Sequence, residues 1–202
     1  MRYTLTQKTI NEIDCIIHRG SCVFKDSSTE KILKYVFKGP VTSFPNNFDL
    51  RPLKLLIKRG LITVDGSTCA LTDYGRYVVV AGKFGIPFLS LCALSEIYVM
   101  QSNFPNPKNG SYPIPRFLEK LDAVYSQARL RMASTVQLRK RGYVCRKSSK
   151  KVYIPHSAYL RIKQHDLILR ELQKWFVETC EKIDELVNCD PNIMANIEKN
   201  II

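Results

Sequence analysis

Arg146-Lys147-Ser148-Ser149-Lys150-Lys151 sets four cations and two hydroxyls in one short stretch. Such a stretch repels itself unless it lies in solvent or faces phosphates, and phosphate contact is the chemistry that uses every group in it. Just upstream, 125–141 reads as a helix. Its Leu130, Ser134, Gln137 and Leu138 fall on one side at helical spacing and should pack inward. The other side carries Ala128, Met132, Thr135, Val136 and Arg139, flanked by Arg129, Arg131 and Lys140. Short side chains between arginines suit a helix that enters the DNA major groove, which is about 12 Å wide. Gln127, Arg129, Arg131, Thr135, Arg139 and Lys140 are therefore the candidates to read bases or grip phosphates from the helix. Arg146, Lys147, Lys150 and Lys151 are the candidates from the turn.

The charge of the whole chain supports that chemistry. The 202 residues carry a net charge of +13, and the excess is not spread evenly. Residues 88–164 hold 14 basic and three acidic side chains, whereas residues 165–202 hold four basic and eight acidic. Concentrating one sign in the middle of a chain costs self-repulsion that an anionic partner offsets, and nucleic acid is the commonest such partner.

The elements that must position these residues follow from periodicity and breakers. Helices are expected at 6–19, at 29–37 up to Gly39-Pro40, and from an Asp49 N-cap with Pro52 in the first turn to Gly60. A hairpin follows around Asp65-Gly66-Ser67. Thr72-Asp73 then caps a helix at 74–81, before Gly82 and Gly85-Ile86-Pro87 break the chain. The same order recurs. Helices are expected at 89–101, 114–121 and 125–141, with a polar loop at 102–112; Gly142, strands at 143–146 and 151–154, and a Ser157-capped helix to Cys189 follow.

The two halves align on Leu56-Ile57-Lys58-Arg59-Gly60-Leu61-Ile62 and Leu138-Arg139-Lys140-Arg141-Gly142-Tyr143-Val144, a shift of 82. Leu71-Thr72-Asp73-Tyr74 and Ile154-Pro155-His156-Ser157 follow at a shift of 83. Helices leading to Lys-Arg-Gly, an apolar pair and a hairpin resemble the winged helix-turn-helix superfamily, over about 28–81 and 88–160. The resemblance implies a third helix in the major groove and a wing on backbone or minor groove. The expected fold is mainly α with small β-hairpins: two winged helix-turn-helix modules plus a long C-terminal helix. The divisions are 1–87, a strongly basic 88–160, and 157–202 with its acidic tail.

The first module is the weaker reader. Its third helix offers Arg51, Lys54, Lys58 and Arg59, but its hairpin turn has one acid and no cation. In the last helix Ile168, Leu172, Phe176, Thr179, Ile183 and Leu186 recur at spacings of four or three. That stripe serves either the chain's own core or a homodimer, and its length favours the homodimer.

Other classes find less support. The chain lacks a phosphate-binding glycine loop and any Ser/His/Asp or Cys/His grouping, so no enzyme, cofactor or catalytic residue is expected. Seven cysteines, an odd number without a C-x-x-C pair, suggest reduced thiols instead of disulfides or a metal site. With no long apolar run and no secretion signal, the expected location is cytoplasmic on the nucleoid, or nuclear in a eukaryotic host. The leading expectation is sequence-specific binding of double-stranded DNA in transcriptional regulation. A plasmid- or phage-type replication initiator and a protein-interaction adaptor are the alternatives.

Overall fold

The computed structural model describes residues 27–105, 112–113, 136–148 and 151–189. The helices expected at 6–19 and 114–121, and the first part of the helix expected at 125–141, lie outside these residues. The chain is mainly helical with two small antiparallel hairpins, and it divides into two compact units that meet between Phe88 and Leu89.

In the first unit, α1 (Ser27–Val36) buries Thr29, Ile32, Leu33 and Val36, the 3-1-3 spacing that puts four residues on one helical face. This face packs against α2 (Leu53–Lys58), β2 (Thr68–Leu71) and α3 (Asp73–Phe84). Between α1 and α2, Val41 pairs with Cys69 through two backbone hydrogen bonds of 2.9 and 2.8 Å, which adds a one-residue strand to the hairpin. The hairpin itself is β1 (Ile62–Asp65) against β2, from Ile62 opposite Leu71 to Asp65 opposite Thr68. Gly66 and Ser67 make its loop, with Gly66 at φ +55°, a region open to glycine at little cost.

Two sequence expectations are corrected here. Asp49 is not the N-cap of α2; that position is Pro52, which has no side-chain cap. Asp49 instead closes a local turn by accepting from the backbone N–H, Nε and Nη2 of Arg51. Those bonds to Arg51 hold the Asp49 carboxyl down to about 2. Gly82 does not end α3, which is capped by Thr72 as expected but runs on to a left-handed Gly85. A glycine in a helix costs about 1 kcal/mol relative to alanine, which packing on either side of it overrides, whereas a left-handed residue ends the ladder.

The second unit begins within α4 (Phe88–Asn103), from Leu89, and this helix is buried on every side over Leu91–Ser95 and again at Ile97 and Tyr98. A two-residue strand, β3 (Tyr112–Pro113), lies at the end of the stretch expected to be loop. It pairs with β5 (Lys151–Tyr153), which pairs in turn with β4 (Cys145–Ser148), giving the sheet order β3-β5-β4. A helical segment at 136–140, α5, precedes β4. After β5 come α6 (His156–Lys163) and α7 (Asp166–Cys189).

The long helix expected from Ser157 is thus two helices, and its N-cap is Pro155 without a side-chain bond. The break is held from both directions. His165 N–H turns back onto Ile162 O at 2.8 Å, and Asp166 accepts from the Tyr98 hydroxyl at 2.8 Å and from Arg170 Nε at 2.9 Å. Burial and the Asp166 bond push the Tyr98 phenol up to about 12, while the same bond, with help from Arg170, lowers the Asp166 carboxyl. Asp166 therefore contributes stability that is present above the carboxylate's unfolded pKa and is lost as pH falls through its lower folded value. Tyr98→Phe should cost about 1 kcal/mol in urea unfolding at pH 7. That deficit should shrink at pH 3; equal deficits at both pH values would sever the link to Asp166.

The described helices and strands repeat. Gly60 N–H donates to Ile57 O at 2.9 Å and Leu61 N–H to Leu56 O at 3.0 Å. Gly142 N–H donates to Arg139 O at 3.0 Å and Tyr143 N–H to Leu138 O at 2.9 Å, with φ +67° and +72° at the two glycines. Both are the same left-handed glycine cap, each over a buried leucine. The change of shift from 82 to 83 also has a physical cause. Val64 opposite Cys69 is followed directly by Asp65 opposite Thr68. Arg146 opposite Val152 is followed by Ser148 opposite Lys151, so β4 carries a bulge with Lys147 as the extra residue.

Candidate nucleic-acid interface

Leu138 is fully buried and anchors the end of α5, so its neighbours Arg139, Lys140 and Arg141 are turned to solvent. The left-handed Gly142 reverses the chain, and buried Val144 carries it into the sheet. Arg146 then lies exposed on the first strand of the hairpin, beside the helix end it has just left. Val136, Arg139, Lys140, Val144, Cys145, Arg146 and Tyr153 together line an open groove of about 670 Å³. None of these lining residues is acidic. Cys145 and Tyr153 face each other across the strands, and their hydrogen bond raises the Tyr153 phenol, which is uncharged at neutral pH. Among the described residues, the charge of the groove lining is therefore carried by two arginines and a lysine.

Two further contacts fix this surface. The Gln101 side-chain amide donates to Ile154 O at 3.0 Å and accepts from Ile154 N–H at 2.9 Å, so α4 holds the root of the hairpin as a neighbouring strand would. The Arg161 guanidinium sits 5.6 Å from the centre of the Tyr143 ring and extends the basic surface onto α6.

Of the residues expected to contact DNA, Arg139, Lys140 and Arg146 come together in the groove, and Lys151 lies half-buried on β5. Lys147 occupies the bulge of β4. Gln127, Arg129, Arg131, Thr135 and Lys150 lie outside the described residues. In the first unit Arg51, Lys54 and Lys58 are exposed, with Arg51 turned onto Asp49 at 2.8 Å. Sequence reading did not select Arg141, Cys145, Tyr153 or Arg161. Tyr153 was out of reach, since a hairpin without a bulge would set it opposite Arg146 and only the extra residue Lys147 sets it opposite Cys145; Arg161 joins the surface through its place over the Tyr143 ring.

The proposed dimer stripe divides on inspection. Leu172 and Phe176, with Leu169, are buried within the chain, while Ile168 is half-buried. Leu172 and Phe176 are thus unavailable to a second copy. The side chains of Ile183 and Leu186 lie outside the described set.

Among the described residues no group of His, Cys, Asp and Glu could hold a metal ion, and no single helix is long and apolar enough to cross a membrane. Comparison with protein-family models, curated proteins and solved structures finds no match to this chain.

Proposed function

We propose that the chain binds double-stranded DNA through the second unit, in the manner of a winged helix-turn-helix. The observation that carries this reading is the groove in which Arg139 and Lys140 from a helix end meet Arg146 from the hairpin, with no acid among the described residues of its lining. A helix end and a hairpin holding cations on one side is the arrangement by which a recognition helix enters the major groove while a wing grips backbone. The order of helix, short strand, helix and hairpin, present in both units, supports the same assignment. Transcriptional regulation is the role such a reader serves most directly.

Titration of random duplex by electrophoretic shift, repeated at several salt concentrations, tests the proposal. Binding should weaken steeply as salt rises, because each neutralised phosphate releases condensed counterions. Failure of micromolar protein to shift duplex at low salt would refute it. Selection of bound sequences from random DNA then identifies the site; palindromic products would indicate paired half-sites read by a symmetric dimer.

A further inference from the structure

The internal repeat allows the two units to be compared position by position. Through the shift of 82, Leu55 corresponds to Gln137, Ile57 to Arg139 and Val64 to Arg146. The two positions that bring arginine to the groove in the second unit carry isoleucine and valine in the first. These side chains are not withdrawn into a core: Leu55, Ile57 and Val64 are between 39% and 45% exposed. They sit on α2 and β1, which pack against each other. Lys54 and Lys58, both exposed, flank them on α2. The surface thus has an apolar centre and a cationic edge, which suits an acidic, partly apolar protein surface better than a phosphate backbone.

The chain itself carries a surface of that kind. On α7 the exposed residues Leu167, Glu171, Lys174, Glu178 and Glu181 recur at spacings of four and three, and Val177 is exposed beside them. This line is the side of the helix opposite buried Leu169, Leu172 and Phe176. Among the described residues of this line the one cation, Lys174, lies 4.0 Å from Glu178 in an exposed pair, and Arg170 at its edge is paired with Asp166 at 2.9 Å. Leu167, at 73% exposed, is the most exposed large apolar side chain among the described residues.

We infer that the α2–β1 surface of one copy docks on the outward, acidic side of α7 of a second copy, making the chain a homodimer. The apolar pairs Ile57, Val64 and Leu167, Val177 supply the contact area. Lys54 and Lys58 against Glu171, Glu178 and Glu181 set the orientation. Reciprocal docking uses each surface once per chain and closes the assembly with two-fold symmetry.

Sedimentation equilibrium of the full chain over a concentration series, at low and high salt, provides the test. The average mass should rise towards twice the 23.2 kDa of the chain, and less readily at high salt. Lys54→Glu with Lys58→Glu should weaken association at least about tenfold, as should Glu171→Lys with Glu178→Lys and Glu181→Lys. A chain carrying both sets should associate again, a recovery that mere misfolding does not produce; circular dichroism confirms helix content in each. Ile57→Asp with Val64→Asp should abolish association without restoring partner. A chain that stays monomeric throughout, a dimer indifferent to both reversals, or one that responds to only one set overturns the inference. Duplex binding by a monomer would leave the DNA reading standing and remove this one alone.

Discussion

Replacing Arg139, Lys140 and Arg146 together by alanine should lower affinity for random duplex by roughly two to three orders of magnitude at about 0.1 M salt. The size follows from counterion release. Each lost phosphate contact removes about one unit from the log–log salt slope, and at about 0.1 M salt one unit corresponds to roughly tenfold in affinity. The slope is therefore the more telling readout: it should flatten by about three, and the mutant and parent curves should converge as salt rises. All three side chains are solvent-facing and Leu138 beneath them is untouched, so folding should survive. An unchanged slope with reduced affinity would mean that the cations act on shape and not on phosphate. The single replacements should separate two roles. Arg139 is on the helix and should shift sequence preference by about 1–3 kcal/mol if it grips a guanine edge. Arg146, Lys147 and Lys151 belong to the hairpin, and their replacement should weaken binding to all sequences alike.

The groove was legible in sequence to the extent that it depends on neighbours along the chain. Lys-Arg-Gly after an amphipathic run identifies a helix end closed by a left-handed glycine, and the caps at Gly60 and Gly142 have that geometry. What sequence could not supply came from long-range partners. Tyr98, 68 residues before Asp166, makes the hydrogen bond that helps begin a new helix where periodicity continues unbroken. Tyr112 and Pro113 form a strand only because Val152 and Lys151 are there to pair with them. The one-residue change in the repeat shift appears in the alignment as a gap of no evident meaning. Registered against β5, it becomes a bulge at Lys147, beside the arginine that faces the groove. In the apolar stripe of α7, the spacing could not tell that Leu172 and Phe176 are buried within the chain, because burial by the chain's own core leaves no separate trace in spacing.

The largest effect on folding should come from the smallest addition. A Cβ at residue 75 would lie 2.1 Å from the Leu61 carbonyl oxygen and 3.0 Å from its carbon. Both are backbone atoms, so no side-chain rotation relieves the clash; the first turn of α3 must move away from the start of the hairpin. That movement would disrupt Thr72, whose N–H donates to Leu61 O at 3.1 Å and whose hydroxyl donates to Gly60 O at 2.6 Å while accepting from Gly75 N–H at 3.0 Å. Loss of a helix cap together with overpacking places the expected cost of Gly75→Ala at roughly 2–4 kcal/mol. Gly82→Ala, seven residues further along the same helix, should do the reverse. It meets nothing within 4 Å and has no left-handed backbone, so removing helix-interior glycine should stabilise by about 0.5–1 kcal/mol. Urea unfolding followed by circular dichroism reads both. The change should appear as a shift of the unfolding midpoint relative to the parent chain. The second unit supplies the internal control, since the position equivalent to Gly75 at the shift of 83 is Ala158, fully buried on α6. A methyl group is native there, so the intolerance belongs to the closeness of α3 to Leu61 and not to the repeated order of helices and hairpin as such. If Gly75→Ala and Gly82→Ala stabilised alike, the 2.1 Å approach would not exist in solution, and the packing of α3 on the hairpin would have to be redrawn.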